Sequence, residues 1–285
     1  MTVTANLYTS CPLCEGQKIR PRWQVNGYPI VSCDSCSLVF VQKKVDAEEL
    51  ARHYEQDSDP AYEGDNIDCL NYYYGNLAKL IRQRHPQPGR LLDVGCSAGW
   101  FLDAMEGFEC YGNEIAGLYG DAARQRHRDR VFLGAFEEYP LRPEFFDVIT
   151  MQDVFDHMPD PIATLAKCRS MLKPKGLIVI KVHNISCLYA RISGRYFYAI
   201  APPSHLFYYN EATLRRILGK TGFQMVDSRF MAHVMKVRTA LIRLGQGDPK
   251  SRRYRVCRAL AKSPLANFKI KKNLHDVITV MATRQ

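Results

Sequence analysis

Runs of apolar residues alternate with stretches of helical spacing through the middle of the chain. Apolar runs at 90–94, 145–151 and 177–182 are each followed by a turn, and 162–172 has the spacing of a helix. Strands that alternate with helices along a chain pair in parallel and bind ligands beyond their carboxyl ends. The pattern therefore predicts an α/β fold built on a parallel sheet.

The flanking segments have other patterns. Short strands at 23–25 and 28–31 surround Asn26-Gly27, a strong hairpin signal, while 46–85 is helical and aromatic. Further strands are predicted at 223–230 and 276–282. We divide the chain into a cysteine-rich element (1–45), a helical lid or linker (46–88), a core (89–232), a basic amphipathic insertion (233–273) and the last core strand (274–285).

Four cysteines near the N-terminus have the spacing of a metal site. The pairs Cys11/Cys14 and Cys33/Cys36 are C-x-x-C motifs separated by eighteen residues. Each motif lies on a tight turn that points two thiolates at one metal ion. The hairpin between the motifs brings the two turns together, which completes a tetrahedral site. The spacing predicts a structural Zn²⁺ ion in a zinc ribbon, with disulfides or free thiols as the alternative. Because such ribbons bind nucleic acids or proteins, the element does not choose a function.

Length and composition exclude several classes of protein. The chain has 285 residues, 46% hydrophobic and 24% charged, which suits one large domain with a small appendage or two medium domains. No apolar run approaches the roughly 20 residues that span a bilayer, and residues 1–10 lack a secretory signal pattern. We therefore expect a cytoplasmic protein with reduced thiols.

Positive charge is concentrated in one segment. The net charge is +10, and between His233 and Asn273 twelve Lys or Arg residues accompany one acid, Asp248. Apolar residues recur among them at helical spacing. This pattern suits an anionic membrane surface, which makes peripheral attachment to the inner membrane face an option, or the phosphates of RNA. The alternative is that the charged residues of this segment only form a solvent-exposed face. We favour a polyanionic partner for the segment.

A glycine-containing turn follows the first central strand. Residues 90–94 lead into Gly95-Cys96-Ser97-Ala98-Gly99, and a helix begins directly afterwards. Glycines allow close approach of the backbone to a ligand, and a helix N-terminus offers free N–H groups. The next strand ends at Glu114, where a carboxylate can accept hydrogen bonds from a ribose. These features predict a nucleotide-binding site.

Between about residues 91 and 230 the sequence resembles the class I S-adenosylmethionine-dependent methyltransferases. The matching motifs are D-x-G-x-x-x-G at 93–99, the acidic strand end at Glu114, F-D-x-V/I at 146–149, H-x-x-D-P at 157–161 and L-K-P-x-G at 172–176. Ser97 stands where many members carry glycine. The resemblance implies a Rossmann-like sheet of seven strands with helices on both faces, and S-adenosylmethionine as cofactor.

The resemblance also assigns residues to the cofactor. Asp93 and the backbone of 95–99 would hold its methionine part, Glu114 the ribose, and Ile115, Ala135 and Phe136 the adenine. Gln152 would line the pocket near the methyl group. The full expected set is Asp93, Gly95, Cys96, Ser97, Gly99, Trp100, Phe101, Glu114, Ile115, Ala135, Phe136, Gln152 and Asp153.

Two histidines are the candidate bases, and the sequence ranks neither above the other. His157 lies in the H-x-x-D-P loop and follows Asp156, which could orient it. His205 lies in P-x-H-L-x-x-Y, which resembles a subgroup that modifies sugars, glycolipids and secondary metabolites, often with a four-cysteine element. Either side chain could instead be a structural hydrogen-bonding group.

The expected activity is methyl transfer to a hydroxyl or carbon of a saccharide, a lipid-linked glycan or another small-molecule metabolite. The aromatic segment 186–209 favours such an acceptor, because it could form a lid over a sugar or an anionic head group. The alternative is that this segment is only a packing loop. An RNA methyltransferase that uses the ribbon and the basic segment is the alternative. A third hypothesis is a scaffold with an inert pocket, against which the intact motifs argue.

Overall fold

The computed structural model describes residues 6–46, 49–50, 52–53, 60–115, 117–245 and 250–285. Parts of the predicted segment 46–88 (47–48, 51 and 54–59), together with 246–249 and its Asp248, lie outside the described residues. The elements in chain order are β1 (Ile19–Val25), β2 (Tyr28–Cys33), β3 (Val39–Val41), α1 (Pro60–Arg84), β4 (Arg90–Val94), α2 (Trp100–Ala104), β5 (Glu109–Glu114), α3 (Gly117–His127), β6 (Val131–Leu133), β7 (Phe146–Gln152), α4 (Pro161–Met171), β8 (Leu172–His183), α5 (Leu188–Ser193), β9 (Phe207–Tyr208), α6 (Glu211–Lys220), β10 (Phe223–Arg229), β11 (His233–Lys236), α7 (Val237–Leu244), α8 (Arg252–Ala261), β12 (Lys269–Lys272) and β13 (Val277–Arg284).

The main sheet has seven strands in the order β10-β13-β8-β7-β4-β5-β6. Strands β4 to β8 are parallel, and β13 runs antiparallel to both β8 and β10. The predicted α/β fold and its seven-stranded sheet are therefore confirmed. From β4 the chain winds outward through β5 and β6, then returns to β7 on the other side of β4. Such a switch point opens a crevice at the carboxyl ends of the strands.

Two of the sequence motifs act at the opposite, amino end of the sheet. Asp147, from F-D-x-V/I, accepts a hydrogen bond from Arg90 N at 2.8 Å. Lys173, from L-K-P-x-G, donates to both Asp147 oxygens at 2.8 and 2.9 Å. These contacts tie β4, β7 and β8 together where each strand begins. The two motifs therefore have a structural role here.

The N-terminal element shares a sheet with the methyltransferase-like core. Strands β1, β2 and β3 form an antiparallel sheet whose fourth strand, β9, comes from residues 207–208. Val41 N donates to Leu206 O at 2.8 Å, and Asn26 Nδ2 donates to Pro202 O at 3.0 Å. Phe40 and Phe207 belong to the same buried cluster as the central strands. The element therefore supports the segment that contains His205.

The basic segment, residues 233–273, folds over one end of the sheet. Strands β11 and β12 pair antiparallel and enclose α7 and α8 between them. Several large apolar side chains of this segment are exposed: Leu244, Val256, Leu260, Leu265, Phe268 and Ile270. Among the described helices, none combines the length and apolarity needed to cross a membrane.

Candidate functional site

One cavity of about 630 Å³ lies at the carboxyl ends of the central strands. Its floor is made by the ends of β4, β5, β7 and β8, and its roof by α1 and the basic segment. Asn66, Leu70 and Tyr74 of α1 line the roof; they belong to the segment predicted as a helical lid or linker, although the sequence did not single them out as site residues. Helix α1 shows no motif, so the particular residues that line the cavity could be identified only from its packing over the sheet.

The glycine loop, residues 95–99, makes a tight path at the cofactor end of the cavity. Gly95 and Gly99 have φ values of +70° and +81°, and Ser97 has φ +48°. A Cβ at Gly95 would lie 2.3 Å from a methyl group of Val154, so glycine is required there by space as well as by conformation. Ser97 N donates to Glu114 Oε2 at 2.8 Å, which joins the loop to the end of β5.

Ten of the thirteen predicted cofactor-binding residues line the cavity. They are Asp93, Gly95, Cys96, Ser97, Glu114, Ile115, Ala135, Phe136, Gln152 and Asp153. Gly99, Trp100 and Phe101 are not part of its lining. Phe101 is buried in a core cluster, and the guanidinium of Arg126 covers the Trp100 ring at 3.8 Å. For these three residues the structure shows packing within the fold.

Asp93 and Gln152 give the cofactor end its polar character. Asp93 accepts a hydrogen bond from Thr150 Oγ1 at 2.5 Å, and burial raises the pKa of its carboxyl to about 7. Gln152 Oε1 is buried at the cavity and accepts no hydrogen bond within the described part of the chain. A buried acceptor without a donor is costly unless a ligand satisfies it. This acceptor, the glycine loop and Glu114 therefore fit a nucleoside cofactor that carries donor groups.

Asp156 lies at the centre of a histidine cluster, which we define as Asp156, His157, His183 and His205. His205 Nδ1 lies 2.8 Å from Asp156 Oδ2, and His183 Nδ1 lies 3.4 Å from the same oxygen. Burial would raise the pKa of Asp156, but the neighbouring histidines hold it well below its usual range. An ionised carboxylate only accepts hydrogen bonds, so the nearer nitrogen, His205 Nδ1, carries a proton.

The two predicted bases lie side by side, with ring centroids 4.4 Å apart. The carboxylate of Asp156 orients His205, whereas its Oδ1 is 3.8 Å from His157 Nε2. Asp156 therefore does not hold its neighbour in sequence as closely as it holds His205. Burial lowers the pKa of His157 to about 4, which keeps that ring neutral at physiological pH. His205 Nε2 is left as the proton acceptor of a His–Asp pair.

His183 and the residues beyond it form the other end of the cavity. His183 is the last residue of β8. Tyr198 also lines this end and belongs to the aromatic segment predicted as a lid or a packing loop. His233, Arg243 and Lys272 line it too, and the sequence analysis did not single them out as site residues. They come from three separate stretches of chain, so no local motif connects them.

The four predicted zinc ligands converge away from this cavity. Cys11 Sγ and Cys36 Sγ are 3.5 Å apart, as are Cys14 Sγ and Cys33 Sγ, and all four sulfurs lie within 4.8 Å of one another. None of the ten cysteines is in a disulfide. Sulfurs around a tetrahedral Zn²⁺ are separated by about 3.8 Å, given Zn–S bonds of about 2.3 Å. The donor set and its spacing therefore fit Zn²⁺.

The strand order, with a glycine loop and an acidic strand end at the switch point, defines an α/β protein built to bind a nucleotide-type cofactor. A family profile described as a methyltransferase domain matches residues 70–228, which is more than half of the chain. The chain belongs to the methyltransferase domain family. The class predicted from the sequence motifs is thereby confirmed.

Two curated relatives are ubiquinone biosynthesis O-methyltransferases. The protein from Photobacterium profundum is 29% identical over 145 residues, which cover 48% of this chain and 57% of that protein. The protein from Histophilus somni is 28% identical over 107 residues, 33% of this chain and 45% of that protein. The chain thus spans about half the length of these relatives. Neither is named for sugars or glycolipids, so the predicted subgroup stays a prediction.

Solved structures show the same fold. A methyltransferase from Thermotoga maritima superposes with a TM-score of 0.53 at 17% identity, covering 83% of this chain and all of that one. A methyltransferase from Archaeoglobus fulgidus superposes with a TM-score of 0.50 at 21% identity, covering 84% of this chain and all of that one. At these identities the likeness concerns the fold alone.

Proposed function

We propose that the protein transfers a methyl group from S-adenosylmethionine to a hydroxyl group of a small-molecule acceptor, with His205 as general base. The observation that carries this proposal is the 2.8 Å hydrogen bond from His205 Nδ1 to the buried carboxylate of Asp156, at the edge of the cavity. A base must be held in one tautomer and orientation, and a carboxylate on Nδ1 does both.

The cofactor would be held at the glycine-loop end of the cavity. The backbone of 95–97, Asp93, Glu114 and Gln152 offer donors and acceptors there. When bound, S-adenosylmethionine supplies an electrophilic methyl group on a sulfonium. The chain aligns the acceptor oxygen with that group and excludes water, while His205 removes the hydroxyl proton. His157, neutral and packed on His205, would support the orientation of that ring.

A divalent cation is the alternative occupant of the histidine cluster. One ligand atom each from Asp156, His183 and His205 lie within 4.8 Å of one another. The separation of His205 Nδ1 from Asp156 Oδ2, 2.8 Å, is that of a charge-assisted hydrogen bond. We therefore propose that a proton, and not a cation, lies between His205 and Asp156. The metal ion in this proposal is the structural Zn²⁺ at the four cysteines.

The relatives' names favour a hydroxyl over a carbon acceptor, because both are O-methyltransferases. A metabolite acceptor, including a saccharide or a lipid-linked glycan, suits a cavity walled by histidines and Tyr198. We propose further that the basic segment faces an anionic membrane. The pairing of β3 with β9 gives the ribbon a structural role, so the RNA alternative rests mainly on the charge of the basic segment.

The test is methyl transfer by His205→Gln and Asp156→Asn, with host lysate as the source of acceptor and labelled cofactor. We expect cofactor binding within about twofold of wild type and turnover lowered roughly 10²–10⁴-fold, the usual contribution of a general base. His85→Gln, beside Asp147 at the amino ends of the strands, is the matched control.

Unchanged turnover in His205→Gln would refute the assignment of the base. Loss of activity on treatment with a chelator, while zinc stays bound to the four cysteines, would favour the cation. Label recovered in RNA, and not in the lipid or small-molecule fraction, would contradict the acceptor class.

A further inference from the structure

A continuous wall of rings runs from the histidine cluster to an arginine of the basic segment. The rings of His205 and His183 have centroids 5.1 Å apart, and those of His183 and Tyr198 are 5.2 Å apart. The Arg243 guanidinium carbon lies 4.1 Å from the Tyr198 ring centroid. All four side chains line the same cavity. Arg243 is therefore within the span of one small molecule from His205.

The other cations at this end of the cavity are already neutralised. Lys181 Nζ pairs with Asp153 Oδ2 at 2.5 Å, and Lys272 Nζ pairs with Asp276 Oδ2 at 2.5 Å. Among the described residues, no carboxylate forms an ion pair with Arg243, whose guanidinium lies over the Tyr198 ring. Within the described part of the chain, the positive charge of Arg243 is thus not paired with a carboxylate.

The Tyr198 ring, on which the guanidinium of Arg243 lies, is held in place by two contacts. Its hydroxyl donates to Asp276 Oδ2 at 2.7 Å, and Tyr189 packs on it with ring centroids 6.1 Å apart. A planar guanidinium that is stacked on a ring keeps its edge N–H groups available for a planar anion. Because Arg243 is half-buried, a hydrogen-bonded anion there is stabilised more than it would be at an exposed site.

We infer that Arg243 binds an anionic group of the acceptor, a carboxylate or a phosphate, and so sets the distance from that group to the hydroxyl presented to His205. This inference rests on the proposed function and specifies its substrate class. It also gives the basic segment a role inside the cavity, distinct from that of its exposed apolar side chains.

The test uses two pairs of probes that differ in charge. One pair is 4-hydroxycinnamate and its methyl ester; the other is glucose 1-phosphate and methyl glucoside. Binding to the zinc-containing protein saturated with S-adenosylhomocysteine is measured by calorimetry. We expect the charged member of at least one pair to bind at least about tenfold tighter, the usual effect of a charge-assisted hydrogen bond. The pair that shows it distinguishes a carboxylate from a phosphate.

Arg243→Gln should reduce this preference to less than about twofold, and Arg243→Lys should restore only part of it because lysine lacks the forked donors. The matched control is Arg238→Gln, an exposed arginine of the same helix whose Nε donates to Ala261 O at 3.1 Å. It should keep the full preference.

The inference is overturned if wild type binds the members of both pairs alike, or neither member at millimolar concentration, or if Arg243→Gln keeps the preference. If Arg243→Gln does not fold, Arg243→Lys and the wild-type preference still decide the matter. Failure of the proposed function would appear differently: His205→Gln would keep normal turnover, whatever the charge preference.

Discussion

At the scale of single residues, the buried carboxylate of Asp156 determines the roles of its neighbours. It accepts from His205 and His183 through one oxygen, while His157 lies farther from the other oxygen. In sequence, Asp156 precedes His157 directly, and that adjacency suggested the opposite pairing. Side chains of consecutive residues in a turn point in different directions, so the partner of Asp156 is set by what packs over the turn.

His157 should make the stability of the fold depend on pH. Burial lowers its folded-state pKa to about 4, whereas the unfolded chain has an ordinary value near 6.5. Below pH 6.5 the unfolded state binds a proton that the folded state does not, so stability falls as the pH drops toward 4. This loss amounts to at most about 3 kcal/mol.

The corresponding variant is His157→Gln, compared with wild type by urea unfolding at pH values between 7 and 4. The variant should lose less free energy of unfolding over this interval, because Gln does not titrate. Equal losses in the two proteins would show that His157 is not held neutral by the fold.

At the scale of elements, the four-cysteine ribbon and the segment that contains His205 belong to one sheet. Strand β9 follows His205 by one residue and pairs with β3 of the ribbon. A two-residue strand has little stability of its own, so its position depends on the partner strand. We therefore expect the ribbon to influence the orientation of His205.

Replacing Cys14 and Cys36 by serine should release zinc and loosen this support. Hydrogen exchange at Leu206 and Phe207 is expected to become faster, with little change in β8 at the centre of the main sheet. Zinc content by elemental analysis and exchange by mass spectrometry are the measurements. Cys257→Ser, outside the ribbon, is the control.

Zinc absent from the untouched protein would contradict the metal assignment. Exchange at 206–207 that is unchanged after zinc is lost would contradict the coupling between the ribbon and the His205 segment.

At the scale of the whole molecule, the basic segment forms part of the roof of the cavity and carries twelve Lys or Arg residues. Exposed apolar side chains lie among its arginines and lysines, with Leu265 68% and Phe268 65% accessible. Insertion of apolar groups combined with attraction by anionic lipid is the usual basis of reversible membrane binding. An acceptor delivered from the bilayer would then enter beneath this roof.

The double variant Leu265→Ser/Phe268→Ser should bind vesicles of phosphatidylcholine and phosphatidylglycerol at least about tenfold more weakly than wild type, measured by sedimentation. Wild-type binding should weaken with added salt and should be lost on pure phosphatidylcholine. Leu141→Ser, an exposed leucine outside the segment, is the control. Binding to single-stranded RNA without binding to vesicles would contradict this role and support the RNA alternative.

The α/β fold, the glycine loop, the acidic strand end and the four-cysteine ribbon were all predicted from the sequence. Each is a local pattern: strand–turn–helix periodicity, a required glycine, or paired C-x-x-C motifs. Parallel strands bring their carboxyl ends to one edge whatever the lengths of the connections, which predicted that Glu114 lies near the glycine loop; the roles of Asp93 and Gln152 were implied by the family resemblance.

Only the tertiary structure decided which groups meet in the acceptor half of the cavity. Asp156 and His205 are 49 positions apart in the sequence. Tyr198 is separated from the helix of Arg243 by β9, α6, β10 and β11. Contacts between residues so far apart in the sequence leave no periodic pattern that could predict them. The pairing of Asp156 with His205, and the guanidinium of Arg243 on the same wall, result from packing of β9 against the ribbon and of the basic segment over the sheet.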